Sequence, residues 1–207
     1  MAKTGNGNGA ARATKSIDLA LQGGGSHGAF TGGVLDALLE DGRLRFDGAS
    51  GTSAGAMNAA VLAHALARAH EDGVKGAQAR EAARAALSRF WDGVGLMGNF
   101  TAGLPLPAAQ NMMQWFMPWL SPAQANPLGL NPLRRLLERE IDFELLARQS
   151  RVKVFVTATN VRTGRGEVFS GAQLSVDTVM ASACLPTLFQ AVKVGEVVTA
   201  RGQVAID

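Results

Sequence analysis

The chain has 207 residues, 47% of them hydrophobic, which suits one domain with a single core. Its 20 Lys and Arg against 17 Asp and Glu leave a net charge of +3, with the arginines scattered among alanines, so no nucleic-acid-binding stripe is evident. The single cysteine, Cys184, excludes an internal disulfide and a multi-cysteine metal site, and suits a reducing, cytoplasmic setting.

Residues 1–16, polar and rich in Gly and Asn, read as a disordered leader, and 17–207 as the folded domain. No run of about 18 apolar residues occurs, so a spanning helix is not expected, whereas peripheral contact with a membrane stays open. Ile17 to Leu21, IDLAL, is a short apolar run halted by glycines and reads as a buried strand. From Gly28 a helix is expected, with Phe30, Val34, Leu35, Leu38 and Leu39 at helical spacing and Gly42 at its end. LRFDGAS predicts a second strand, and the alanine-rich run from Ser53 to His70 a second helix.

A further helix is expected over Gly76–Trp91, then an irregular cap over about 96–131, rich in Pro, Met and Trp. Residues 131–149 read as one helix, capped by Asn131 before Pro132. Val152 to Ser170 predicts two strands joined around Thr163 to Gly166, and SVDTVMASACLP a short helix stopped by Pro186. LFQAVKV and GQVAID read as the last strands. Strand, glycine turn, helix, repeated twice, argues for a parallel α/β sheet with its ligand site beyond the carboxyl ends of the strands.

The first turn, QGGGSHG, fits G-x-G-x-x-G through Gly23, Gly25 and Gly28, and Asp47 stands about where a ribose-binding acid would. A nucleotide-binding oxidoreductase is therefore one reading, and a turn that merely packs helix on strand is another. Glycines also let backbone N–H groups converge at a helix N-terminus, where a pyrophosphate or a short-lived oxyanion would be held.

The second turn, GTSAG, is G-x-S-x-G on Gly51, Ser53 and Gly55, between a strand and a helix as a nucleophile elbow requires. Its alternative is a serine that only caps the helix. A nucleophile needs oxyanion donors, which the Gly24 and Gly25 amides can supply, and a base. His64 and His70 follow on the same helix, and eleven residues of helix span roughly 16 Å, too far for a hydrogen bond. The candidates left are His27 in the glycine turn and a carboxylate, most plausibly Asp207 at the end of the apolar QVAID strand, with Asp177 and Asp47 weaker.

GGGSHG, GTSAG and a strand-terminal Asp, in that order, resemble the patatin-like phospholipase family, and the resemblance extends from about Asp18 to at least Val194 through ATNVRTG and ASACLP. It implies a three-layer α/β/α fold with a mainly parallel sheet, and an enzyme that cleaves fatty-acyl esters of lipids or phospholipids without metal or other cofactor. By position, Ser53 matches the nucleophile, Asp207 the base of the Ser-Asp dyad, Gly51 and Gly55 the elbow, and Gly23 to Gly28 the oxyanion loop. The chain departs from the family at position 27, where His27 stands for a common Arg or Lys, and at Asp207, which no glycines follow. The Met112, Met113, Trp115, Phe116, Met117 and Trp119 cluster fits an acyl groove or a lipid interface, or equally a packed cap. A truncated, inactive lipid-binding remnant is the third reading.

Overall fold

The computed structural model of the chain describes residues 14–102, 131–149, 151–184, 191–194 and 204–205, with the backbone alone for 98–102, 149, 204 and 205. The strands are β1 (Lys15–Leu21), β2 (Leu44–Gly51), β3 (Lys153–Asn160), β4 (Gly166–Ser170) and β5 (Val204–Ala205). The helices are α1 (Gly28–Asp41), α2 (Ala54–Glu71), α3 (Gly76–Ala102), α4 (Pro132–Glu140), α5 (Phe143–Gln149) and α6 (Val176–Ala183). The first strand thus takes in Lys15 and Ser16, the last two residues of the expected leader, and α3 runs well beyond Trp91.

The sheet order is β1-β2-β3-β4, with β1, β2 and β3 parallel and β4 antiparallel to β3. β5 pairs antiparallel with Thr159 and Asn160 of β3. Because right-handed crossovers that step in one direction along a sheet put their helices on one face, the β1-α1-β2 connection and the longer one from β2 to β3 share a face. Ile17, Leu19 and Leu21 of β1, and Val154 and Val156 of β3, point toward those helices, whereas Ala158 of β3 packs with Ala181 of α6 and Phe169 of β4. Asp18, Arg45, Asp47, Ser50, Lys153 and Phe155 lie exposed on the other. The helical layer expected there is not among the described residues.

A β-bulge sets the parity of β2. Ile17 pairs with Phe46 but Asp18 with Gly48, so Asp47 is the extra residue. Before it Leu44 and Phe46 face inward; after it Ala49 and Gly51 do. A one-residue shift reverses which face each side chain takes, and this one turns Gly51 toward α2.

α2 is buried along most of its circumference, with Ala59, Ala60 and Ala63 at most 1% exposed. Small side chains let the helix lie close to the sheet on one side and to α1, α3 and α5 on the others. α1 buries Gly28, Gly32, Leu35 and Leu39 and ends at Gly42 with φ 68°, the left-handed cap its sequence predicts. The expected apolar stripe is corrected here, since Phe30 and Val34 are 79% and 44% exposed. The two glycines take the inward places because the Trp91 ring of α3 lies against them, 2.5 Å from where a Cβ of Gly28 would stand.

The helix expected over 131–149 is two. Asn131 caps α4 through Arg134 N at 3.2 Å, as its sequence suggests. Ile141 is extended and buried, and Asp142 then accepts Leu145 N at 2.9 Å. An aspartate gains more by capping a new helix than by continuing an old one. The cap's 103–130, with its Met and Trp cluster, lies outside the described residues, as do Pro186 and Asp207.

Candidate active site

The end of β2 and the start of α2 make the elbow. Ser53 has φ 54° and ψ −122°, the one non-glycine with positive φ among the described residues. That region is costly for an L-residue and is held only where the surroundings over-determine it. Here Gly55 N donates to Thr52 O at 2.9 Å and Met57 N to Ser53 O at 3.1 Å. Although Ser53 stands at the N-cap of α2, its side chain makes no capping hydrogen bond. The hydroxyl is thus left out of the helix, and the capping alternative has no bond to rest on.

Gly51 and Gly55 are steric requirements. A Cβ on Gly51 would overlap the backbone of Gly55, and one on Gly55 the carbonyl of Leu21. Strand and helix therefore pass each other with nothing between their backbones.

The glycine turn lies against this elbow. A Cβ on Gly23 would come 3.0 Å from Thr52 O and 3.3 Å from the Ser53 Cβ. Gly24 (φ 148°) and Gly25 (φ 57°) adopt conformations that side-chain-bearing residues rarely take, and Gly25–His27 forms a short 3-10 turn into α1. His27 N donates to Gly24 O at 3.1 Å, and the His27 Nδ1 lies 3.1 Å from the same oxygen. Its ring is thus tied to its own turn.

Asn58 was not singled out in the sequence, yet it joins these parts. Fully buried on α2, it donates through Nδ2 to Gly28 O at 2.9 Å, and its Oδ1 accepts Trp91 Nε1 at 2.9 Å. One side chain so pins the start of α1 and the Trp91 ring to the elbow helix. Asn58→Ala is expected to cost about 2–4 kcal/mol, since it removes two hydrogen bonds, takes the acceptor from the Trp91 indole N–H and opens a void. A urea titration of both proteins measures it, and a change under about 1 kcal/mol would show the bridge to be dispensable.

The structure places the remaining candidates elsewhere. Asp47 is the fourth of eight residues in β2, pairs with Arg45 at 3.0 Å and lies exposed on the face of the sheet opposite α1 and α2. It lines a basic cleft of about 540 Å³ at the amino end of β2, with Arg45, Lys75, Arg80, Arg151 and His70. The glycine turn and the acid of a dinucleotide site are not brought together. Asp177 is held by Arg134 at 2.6 Å. Asp207 is outside the described residues; Ala205, two residues before it, pairs with Thr159, beyond the Val156 that pairs with Gly51.

His64 lies half-buried on α2, its Nε2 enclosed without a hydrogen-bond partner among the described residues. Burial, reinforced by Arg68, pushes its pKa down, against smaller opposing effects of Asp142 and Glu140. The unfolded chain therefore binds the proton more readily than the folded one. Its contribution to stability is complete above the unfolded value near 6.5 and is lost as pH falls below it. The melting temperature is expected to drop between pH 7.5 and 5.5, and less steeply in His64→Leu; equal slopes would remove His64 from the account.

A mainly parallel sheet that delivers a serine on a strained turn, beside a glycine-rich loop, defines an α/β protein of the serine-elbow class. The chain belongs to the patatin-like phospholipase family, whose sequence model matches residues 19–202. Among solved structures, VipD from Legionella pneumophila is similar with a TM-score of 0.45 and 17% identity, over 93% of this chain and 45% of that one. The chain thus spans less than half the length of that protein. No curated protein matches. No described helix is long and apolar enough to cross a membrane.

Proposed function

We propose that this chain is a serine acyl hydrolase acting on lipid or phospholipid esters. The observation that carries the reading is the strained Ser53 turn with the glycine turn packed against its Cβ. Ser53 Oγ attacks the ester carbonyl, forming a C–O bond as its proton passes to a carboxylate, for which Asp207 is our candidate. The Gly24 and Gly25 amides hold the oxyanion. Collapse breaks the bond to the leaving alcohol, which takes the proton, and water then releases the fatty acid by the same steps.

β5, paired at the elbow end of β3, supports Asp207 as the base. Peripheral contact with a membrane is supported by Phe30, exposed in the first turn of α1 beside the glycine turn, because an aromatic there can enter a lipid interface. The experiment is hydrolysis of a short-chain chromogenic ester by the wild type, Ser53→Ala and Asp207→Asn. Turnover by the wild type and background rates for both variants are expected. Activity that survives Ser53→Ala would overturn the nucleophile, and activity that survives Asp207→Asn would overturn the base alone.

A further inference from the structure

The geometry points to Ser182 as a positioning residue for Ser53: its buried hydroxyl holds the amide of the elbow and so removes that amide from the oxyanion donors. This deepens the hydrolase reading and rests on it. Ser182 sits near the end of α6 and is fully buried. Its Oγ lies 2.6 Å from Thr157 O in β3 and 2.8 Å from Ser53 N. A carbonyl can only accept, so the hydroxyl's one proton goes to Thr157, and a lone pair of the same oxygen receives the Ser53 N–H. The direction of both bonds is thereby fixed.

Two consequences follow from that direction. Ser53 would relax from its unfavourable dihedrals unless both its peptide groups were held. Met57 N holds the carbonyl side, and Ser182 the amide side, which leaves the Ser53 side chain as the part free to meet a substrate. Secondly, an amide already bonded in the interior cannot turn to a developing oxyanion, so the donors have to come from other backbone N–H groups, such as those of Gly24 and Gly25.

The other end of α6 supplies a control. Ser175 and Thr178 form a capping box there, away from the elbow, so Ser175→Ala weakens the helix without touching Ser53. The test compares wild type, Ser182→Ala, Ser182→Thr and Ser175→Ala. Three quantities are measured: inactivation by a serine-directed phosphonate, kcat and KM on a chromogenic ester, and hydrogen exchange at the Ser53 amide.

For Ser182→Ala, inactivation and kcat are expected to fall roughly tenfold or more with KM little changed, and the Ser53 amide to exchange faster. Ser182→Thr, which keeps the hydroxyl, should recover part of the rate. Ser175→Ala should lower the melting temperature yet react normally per folded molecule. Wild-type reactivity in Ser182→Ala, or an equal slowing in Ser175→Ala, would overturn the inference. Should Ser182→Ala not fold, Ser182→Cys, with its weaker hydrogen-bonding thiol, carries the same comparison. A folded wild type inert to the phosphonate overturns the hydrolase reading itself, and exchange at the Ser53 amide then decides alone whether Ser182 holds the elbow.

Discussion

Ser53→Gly is expected to raise the melting temperature while removing the ester hydrolysis proposed for this chain. At φ 54° and ψ −122° a serine carries strain of about 1–3 kcal/mol that a glycine does not. Against this, glycine loses more backbone freedom on folding, by about 0.5–1 kcal/mol. The net gain is about 1 kcal/mol, or roughly 2–4 °C for a domain of this size. Ser53→Ala is the comparison that isolates the effect: it removes the same hydroxyl but keeps the strain. Calorimetry on both variants, beside the ester assay, gives the answer. If Ser53→Gly melts no higher than Ser53→Ala, the elbow stores no strain and the turn is an ordinary one.

The second large effect is expected at Gly55. In Gly55→Ala the new methyl would overlap the Leu21 carbonyl, which is backbone of β1 and cannot swing aside as a side chain could. α2 would have to lift from the sheet, and with it the apolar surface of Val61, Leu62 and the buried alanines. A loss above about 3 kcal/mol is expected, in the range that marks a disrupted core. Gly33→Ala provides the contrast, for it lies in α1 with nothing within 4 Å of its would-be Cβ. There alanine should stabilise the helix by roughly 0.5–1 kcal/mol. Urea midpoints of the two variants read both signs, and a Gly55→Ala protein as stable as wild type would mean that β1 and α2 do not pack as closely as described.

Much of the site was legible in the residues. The two glycine turns and their places between strand and helix follow from spacing. The cap at Gly42, the Asn131-Pro132 helix start and the β3-β4 hairpin were legible for the same reason, since each is a local device read over a few positions. Asp47 shows where such reading stops: about 20 positions past the glycine turn it fits a ribose-binding acid, but a bulge and four further residues of strand keep it from the turn.

The sequence by itself therefore determined the α/β order, the serine turn and the family, because these rest on periodicity and short-range backbone preference. Only the tertiary structure decided which face of α1 is buried, where one helix becomes two, and which groups hold the elbow. Ser182 lies 129 residues from Ser53, Trp91 33 from Asn58, and Asn58 30 from the Gly28 carbonyl it binds. Such pairings arise when apolar faces of distant segments are buried together and their polar atoms must find partners inside. Nothing in the local pattern of Ala181-Ser182-Ala183 marks that serine as the one that meets the Ser53 amide; the stacking of α6 on β3 beside the elbow does.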